Sequence, residues 1–432
     1  MTQSLLQAFD AFTRNGGSRG PAWVVPARRA AFERFAATGF PTPKDEEWRF
    51  TPLGPVASTA WRTAPVGTAR AAELDPFQFG HPEWITLVFV NGRYAPDLSR
   101  RGTLPTGVVI ETLAEALAKD PELARRTLER PVTPGQPSLA SLNAAFAADG
   151  TVIRVGANTD LGDPVHLLHV ATREAEGGVI SPRTLIVVER GARAQIVETY
   201  AGLSDAASFT NAATAVEVAA GGWVEHTRIQ RESLAAYHIG FTRVDQDRDS
   251  HYRSFTLAMG GAIARHDLHA RLGAENVETL LYGLYLGDGT QLVDNHTVLF
   301  HDEPNCRSWE VYKGILDGKS RAVFNGKVLV KPEAQKTDAK QTNRNLLLSD
   351  GAKVDTKPQL EIFADDVKCT HGATVGRLDE IAHFYLQSRG IPRAEAQRLL
   401  TYAFAAEVVA EVASEPVREA LDRLVRRRLQ GA

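Results

Sequence analysis

The chain has 432 residues, which is enough for two or three structural units rather than one compact core. Hydrophobic residues make up 43% and charged residues 23% of the chain, a balance that excludes an intrinsically disordered protein. The formal net charge of −3 removes any bulk electrostatic reason to expect binding to nucleic acid or to an anionic membrane surface.

The lack of a recognisable membrane span or export signal, together with the low cysteine count, indicates a reducing compartment. No apolar run approaches the ~20 residues that a membrane span requires, and the first residues contain no uninterrupted apolar stretch typical of an export signal. The two cysteines, Cys306 and Cys369, are too few for a disulfide framework or an all-cysteine metal site. We therefore expect a cytoplasmic protein, outside any membrane, whose cysteines are either packed or reactive.

Proline usage divides the chain, because proline cannot donate a hydrogen bond within a sheet. Seventeen of the 22 prolines lie at or before Pro182, and none lies between Pro182 and Pro304. The proline-rich first part, residues 1–150, is expected to form a helical and mixed region with many loops. Its apolar periodicity predicts a strand over residues 84–90 and helices over residues 5–12, 28–37 and 110–128.

From about Val152 the hydrophobic period changes to two, which is typical of strands. Within residues 264–272, an apolar face that includes His266 alternates with a polar face formed by Arg265, Asp267, His269 and Arg271. Similar runs between glycine-rich turns predict strands over residues 184–189, 194–200, 223–229, 251–257, 277–286, 292–300, 308–315 and 321–330. Strand after strand without helices indicates an all-β unit over residues 151–376. A sandwich, a jelly roll and a β-solenoid all fit, and the glycine punctuation favours the solenoid.

The pattern becomes helical again in residues 377–432. Asp379 and Glu380 lie in the first turn of a helix predicted over residues 378–387. Pro392 is predicted as the first residue of a second helix that reaches about residue 413, and Ser414 opens a third. We expect a small helical bundle whose wide apolar stripes pack on the β unit on one side and face a partner on another.

Several other residues are interpreted as structural. Residues 314–320 resemble a phosphate-binding loop, but three residues separate its glycines instead of four and a strand follows, so we expect no ATP to bind this chain. Cys306 follows a turn-like segment and is expected to be packed. His166 and His169 are expected to be structural, and His266 is expected to lie in the core.

Cys369 and His371 form the densest group of candidate metal ligands. In an extended segment these two residues project to the same side, where a thiolate and an imidazole can share a soft metal. Lys368 is placed to lower the pKa of the thiol. An ordinary loop with a buried cysteine and a solvated histidine fits the same spacing. Because a stable site needs three or four ligands, two donors imply a transient metal or a shell completed by another chain.

The segment around these ligands resembles a known family. Residues 359–376, which contain the run from Lys368 to Gly372, closely resemble the signature of the SufB/SufD family, the Suf-system proteins that assemble iron–sulfur clusters. The resemblance spans almost the whole chain, since it continues in residues 46–51, 88–94, 386–392 and 399–404. The family fold, a right-handed parallel β-helix flanked by helical regions, implies a mainly β chain, in agreement with the predicted elements.

Within that family the chain resembles the SufD branch more than the SufB branch. SufB proteins carry a catalytic cysteine in the strand region before the signature, whereas residues 341–348 of this chain contain none. SufB proteins also have a glutamate directly after the shared histidine, where this chain has Gly372. The resemblance therefore implies a non-enzymatic subunit without catalytic residues, in which the sulfur-accepting thiol belongs to a SufB-like partner.

The resemblance also implies partners and a cargo. The chain would pair with a SufB-like subunit, or with itself in isolation, and would contact a SufC-like ATPase through its C-terminal helices. His371, with Cys369 nearby, would supply part of a transient shell for iron or a nascent iron–sulfur cluster shared with the SufB-like subunit. Candidate ATPase contacts, for which packing on the β unit is the alternative role, are Tyr402, Phe404 and Glu407.

Two other classes of protein fit parts of the sequence. A β-solenoid polysaccharide lyase or hydrolase exposes carboxylates and basic groups along one strand face, as the polar face of residues 264–272 would. A stand-alone zinc protein would hold about one tightly bound zinc ion per chain. The missing export signal and the specific segment around Cys369 and His371 favour the assembly subunit over both.

Overall fold

The middle of the chain forms a parallel β-solenoid of about eight turns, in which consecutive strands alternate between two sheets. This computed structural model describes residues 2–14, 20–130, 132 and 138–430. Helices precede and follow the strands, so the prediction of a mainly β solenoid flanked by helical regions is confirmed.

The N-terminal region combines helices with short strands that extend both sheets. Its helices are α1 (Thr2–Phe12), α2 (Val24–Thr38), α3 (Gly54–Ser58), α4 (Ala71–Leu74), α5 (Leu113–Lys119), α6 (Pro121–Glu129) and α7 (Ser138–Phe146). Its strands are β1 (Arg62–Thr63), β2 (Thr86–Val90), β3 (Arg93–Tyr94) and β4 (Val108–Thr112). The helices predicted over residues 5–12 and 28–37 and the strand predicted over 84–90 are confirmed.

The single helix predicted over residues 110–128 is wrong, because three elements occupy that stretch. Residues up to Thr112 belong to β4, which pairs antiparallel with a strand at residues 150–155. Thr112 and Glu115 then form a capping box that starts α5. Pro121 starts α6 after Asp120 has ended α5. A proline at the first helical position starts a helix, whereas the same proline would interrupt one that ran through it.

The solenoid strands follow one another with short turns between them. In chain order they are β5 (Gly150–Val155), β6 (Val165–Ala171), β7 (Gly178–Ile180), β8 (Arg183–Val188), β9 (Arg193–Gly202), β10 (Phe209–Val218), β11 (Trp223–Arg231), β12 (Tyr237–Gln246), β13 (His251–Ala258), β14 (Ile263–Leu272), β15 (Glu278–Gly287), β16 (Leu292–His301), β17 (Arg307–Leu316), β18 (Arg321–Val330), β19 (Asp338–Leu347), β20 (Lys353–Ile362) and β21 (Lys368–Gly376). From β8 onward, even-numbered strands lie in one sheet and odd-numbered strands in the other.

Each strand pairs in register with the strand one turn earlier, so equivalent side chains form columns along the solenoid. One register position is held by residues 26 to 29 positions apart in the chain, namely Phe209, Tyr237, Ile263, Leu292 and Arg321. The inward columns of the two sheets form one hydrophobic core, and N-terminal helices cover part of the outer face of the even-numbered sheet to form a second. The column arrangement fixes which residues are neighbours at every level of the solenoid.

The C-terminal helices pack against the outer face of the odd-numbered sheet. They are α8 (Glu380–Ser388), α9 (Arg393–Val409) and α10 (Glu415–Gln430). Pro392 has an extended backbone (φ −58°, ψ 147°) and is the N-cap of α9, so the helix begins at Arg393, one residue after the predicted first residue. None of the helices that the structure describes is long and apolar enough to cross a membrane.

A buried ionic network fastens the N-terminal region to the outer face of the even-numbered sheet. Arg265 forms ion pairs with Asp267 (2.9 Å) and Asp294 (3.0 Å), and its Nη1 donates a hydrogen bond to the carbonyl oxygen of Glu47 (2.6 Å). Its guanidinium lies 3.7 Å from the centroid of the Trp48 ring. These contacts connect strands β14 and β16 with the segment at residues 46–48.

His296 completes this network between two carboxylates. Its Nε2 lies 3.0 Å from Asp294 and its Nδ1 lies 3.3 Å from Glu47. Burial and Arg265 oppose protonation of the imidazole, but the two carboxylates outweigh them and raise the pKa of His296. The hydrogen bond from His296 in turn lowers the pKa of Glu47. The network therefore keeps its charges paired although most of it is buried.

The network argues against the alternative in which residues 264–272 expose a catalytic face of the polysaccharide lyase type. Arg265 and Asp267 are buried and paired with each other, and the Arg265 guanidinium lies against the Trp48 ring. Burial also lowers the pKa of His269 to about 4. The sequence predicted the alternation of faces correctly, but the segment at residues 46–48 packs on Arg265 at the start of the polar face, whereas Arg271 at its end stays exposed.

We expect Asp294→Ala to lower the free energy of unfolding by about 3 kcal/mol, because Arg265 and His296 then lose a buried counter-charge. The control is Asp355→Ala in the same register column, whose carboxylate pairs with the more exposed Arg321. That change should cost less than about 1 kcal/mol. Chemical denaturation of both variants measures the difference, and equal losses would contradict a stabilising role for the buried network.

Candidate functional site

Cys369 and His371 lie on β21, the last strand of the odd-numbered sheet. The strand is extended, so these two side chains share one face, as the spacing predicted. Their register partners on β19 are Ala339 and Gln341, both of which are buried in the interior of the solenoid. The two candidate ligands therefore stand above the interior of the solenoid at its C-terminal end.

This end of the solenoid is open. β20 and β21 are the outermost strands of their sheets, and across the described part of the chain each has a strand neighbour on one side alone. Their outer edges thus present unpaired backbone hydrogen-bonding groups. Large apolar side chains are exposed beside them, namely Ile362, Phe363 and Val375. A terminal turn with free edges and exposed apolar groups has the chemistry of a protein interface.

The two candidate ligands differ in their surroundings. Cys369 is half-buried and packs against the solenoid core, whereas His371 is exposed. Burial raises the pKa of the Cys369 thiol, and the nearby Asp338 acts in the same direction. The expectation that Lys368 lowers this pKa is therefore wrong, because burial dominates. The free thiol is the favoured form of Cys369 in this chain by itself.

The interior directly below His371 is polar. Gln341 on β19 donates a hydrogen bond from Nε2 to Oε2 of Glu310 on β17 (2.8 Å). Glu310 is buried, and burial raises its pKa to about 7. Neither residue was predicted from the sequence to be functional. The one sequence feature that could have indicated them is a glutamate at an inward-facing position of the predicted strand 308–315, where an apolar residue is usual.

The other residues singled out from the sequence are packed. The Cys306 thiol donates to the carbonyl oxygen of Ala274 (3.2 Å), and burial raises its pKa to about 11, which confirms the prediction of a packed cysteine. His266 is buried beside the hydroxyl of Thr242 (2.9 Å), as predicted for a core histidine. The two histidines predicted to be structural are also buried and lie on β6: His166 and His169.

Phe404 and Glu407 of α9 meet Lys313, which projects outward from β17. Lys313 pairs with the carboxylate of Glu407 and donates to the carbonyl oxygen of Phe404 (3.0 Å). Its ammonium lies 4.5 Å from the centroid of the Phe404 ring. Burial lowers the pKa of Lys313, although Glu407 opposes that change. This contact attaches the C-terminal helices to the solenoid.

Tyr402 also makes contacts within the chain. Its hydroxyl is hydrogen-bonded to Asp422 and Arg426, both on α10. Three side chains of α8 are strongly exposed instead: Ile381 (79%), Phe384 (71%) and Tyr385 (56%). Leu399 of α9 is also exposed (44%). The apolar surface of the helices therefore lies mainly on α8, whereas the sequence placed the candidate ATPase contacts on α9.

No group of three or more histidine, cysteine, aspartate or glutamate side chains within the described residues is arranged to hold a metal ion. Cys369 and His371 supply two donors, which is fewer than a stable site requires. Imidazole and thiolate are nevertheless donors that suit iron. The arrangement can contribute to a shared site if other donors approach from beyond the open end.

Comparisons with known proteins match nearly the whole chain. A family model described as the SufBD core domain of the SUF system for FeS cluster assembly matches residues 170–404. A second, the N-terminal region of SufBD proteins, matches residues 2–167. The iron–sulfur cluster assembly protein SufD of Escherichia coli is 33% identical over 412 residues, which cover 94% of this chain and 93% of that protein.

Two further relatives support the same match. An iron–sulfur cluster assembly SufBD family protein of Synechocystis is 33% identical over 397 residues, which cover 90% of this chain and 87% of that protein. The iron–sulfur cluster assembly protein SufD of Bacillus subtilis is 26% identical over 427 residues, which cover 95% of both chains.

We expect Phe404→Ala to lower the free energy of unfolding by about 2 kcal/mol, because the ring packs against the solenoid and faces the Lys313 ammonium. The matched control is Phe384→Ala on α8, whose exposed ring should leave stability within about 0.5 kcal/mol of the unmodified chain. Chemical denaturation followed by circular dichroism measures both. An unchanged free energy of unfolding in Phe404→Ala would show that α9 is not held through Phe404.

Proposed function

Because the chain belongs to the SufBD family of iron–sulfur cluster assembly proteins, we propose that it is the SufD-type, non-enzymatic subunit of an assembly scaffold. The observation that carries this proposal is the pair of iron-compatible donors, Cys369 and His371, at the open end of the solenoid. Residues 341–348 contain no cysteine and Gly372 follows His371, so the sulfur-accepting thiol would lie in the partner.

The partner is a SufB-like subunit that meets the open end. Strands of such a subunit would continue the backbone ladders beyond β20 and β21, and its apolar groups would cover Phe363 and Val375. The same free edges would pair with a second copy of this chain when the partner is absent. A reducing cytoplasm suits this arrangement, because Cys369 has to remain a free thiol.

The cargo is iron or a nascent iron–sulfur cluster. His371 would donate a ring nitrogen and Cys369 a thiolate, which forms when a bound metal displaces the thiol proton. The SufB-like subunit would complete the shell. A shell divided between two chains lets the finished cluster leave when the interface changes, whereas a closed four-ligand site would retain it.

The ATPase of the complex is a separate SufC-like subunit, and no ATP binds this chain. Residues 314–320 run from the end of β17 through a turn into β18, without the helix N-terminus that such a phosphate-binding loop requires. We propose that the ATPase docks on the apolar surface of α8, formed by Ile381, Phe384 and Tyr385 together with Leu399. Three residues would hold α9 in the position that this docking needs: Tyr402, Phe404 and Glu407.

We expect His371→Ala to lower cluster yield at least severalfold in a reconstituted assembly with the SufB-like subunit and the ATPase. The fold and the complex should persist, because the side chain is exposed. The control is Thr370→Ala, on the opposite face of β21, which should give the yield of the unmodified chain. Cluster formation is measured by visible absorption and iron content.

Cys369→Ser should have a smaller effect than His371→Ala, since packing against the core accounts for part of the role of Cys369. An unchanged yield from His371→Ala, with the complex intact by size-exclusion chromatography, would remove His371 from the assembly site.

We expect Phe384→Ala to weaken binding of the SufC-like ATPase by about thirtyfold, the ~2 kcal/mol typical of an aromatic side chain at the centre of an interface. Its melting temperature should stay unchanged, because the ring is 71% exposed. Leu234→Ala is the matched control, since this side chain is also strongly exposed but lies outside the C-terminal helices. Calorimetric titration with the ATPase measures the affinities. Normal affinity of Phe384→Ala would exclude the α8 surface as the docking site.

A further inference from the structure

One inward column of the odd-numbered sheet leads directly to His371. Glu310 on β17, Gln341 on β19 and His371 on β21 are successive register partners. Neighbouring strands lie about 4.8 Å apart, so each side chain is within reach of the next. The first two residues are buried in the interior, and His371 is exposed at its end.

In the side-chain amide of Gln341, the nitrogen is hydrogen-bonded and the oxygen is not. Its Nε2 donates to Glu310, whereas its Oε1 is buried without a hydrogen-bond partner among the described residues. Across the interior stands Gly326, where a Cβ atom would lie 2.0 Å from Nε2 of Gln341. Glycine at that position therefore leaves the space that the amide occupies. A buried, unpaired carbonyl oxygen one strand below an exposed imidazole is an acceptor for which the imidazole N–H is a candidate donor.

We propose that Gln341, held by Glu310, is a positioning residue that accepts a hydrogen bond from the imidazole N–H of His371. The bond fixes which ring nitrogen of His371 keeps its lone pair and directs that nitrogen away from the interior. This inference rests on the proposed function, in which that nitrogen binds iron or the nascent cluster.

The physical reason lies in the two distinct nitrogens of a neutral imidazole. One nitrogen carries the proton and the other has the lone pair that binds a metal. A hydrogen bond donated by the protonated nitrogen to a fixed acceptor determines which of the two nitrogens is free to bind the metal. An exposed histidine on an edge strand samples several ring orientations unless a partner holds it. The register neighbour of Cys369 is Ala339, which has no polar side chain and contacts the thiol through its backbone. A polar side chain thus lies below His371 and not below Cys369.

The test measures the tautomer of His371 directly in the full-length chain. Long-range proton–nitrogen spectra of 15N-labelled protein at about pH 8.5 distinguish the two neutral tautomers, and His371→Ala identifies the signal. We expect one dominant tautomer in the unmodified chain. Gln341→Met, which keeps the volume but removes the amide, should give a mixture. Thr342→Val, on the outer face of the same strand, should leave the signal unchanged.

A second variant guards against misfolding. Gln341→Asn keeps an amide but withdraws it by one methylene, so it too should broaden the tautomer distribution if Gln341→Met does not fold. The same tautomer ratio in the unmodified chain and in the folded Gln341 variants would overturn the inference, as would a mixture in the unmodified chain.

Cluster yield separates this inference from the proposed function. With the SufB-like subunit and the ATPase present, Gln341→Met should reduce the yield severalfold but less than His371→Ala. The double variant should yield no less than His371→Ala alone, because both changes act through one side chain. An unchanged yield from His371→Ala refutes the proposed site without affecting the tautomer result. A reduced yield from His371→Ala with an unaltered tautomer in Gln341→Met refutes the inference alone.

Discussion

The in-register stacking of parallel strands is the constraint on which the rest of the structure depends. Each strand from β8 to β19 satisfies its backbone groups on the strands one turn before and one turn after it. At β20 and β21 this ladder of backbone hydrogen bonds ends, because no further strand of the described chain pairs with their outer edges. The open edge, the inward columns and the position of Cys369 and His371 all follow from that ending.

The same stacking explains how much could be predicted from the sequence. Residues 264–272 alternate clearly because one face meets the apolar core and the other meets an ionic network. β10 was not predicted, because both of its faces are buried and Phe209–Val218 shows no polar alternation. The covering of Arg265 by Trp48 depends on a contact 217 positions apart, and the column from Glu310 through Gln341 to His371 depends on contacts 31 and 30 positions apart. No local pattern records them.

One strand connects the two proposed functional regions. The side chain of Glu310 on β17 points inward and is part of the column that ends at His371. The side chain of Lys313 on the same strand points outward and contacts Phe404 and Glu407 of α9. A movement of the C-terminal helices would therefore act on the strand that supports the candidate site. This arrangement gives a physical route between the proposed ATPase surface on α8 and the proposed cluster site at the open end.

Amide hydrogen exchange at the open end shows most directly whether a partner adds strands to β20 and β21. We expect a SufB-like subunit to slow exchange of the outward-pointing amides of β20 and β21, because new ladder hydrogen bonds protect them. The turns at the opposite end of the solenoid should exchange as before. Unchanged exchange in β20 and β21 within a stable complex would contradict pairing of the partner with these strands, because the partner would then bind elsewhere.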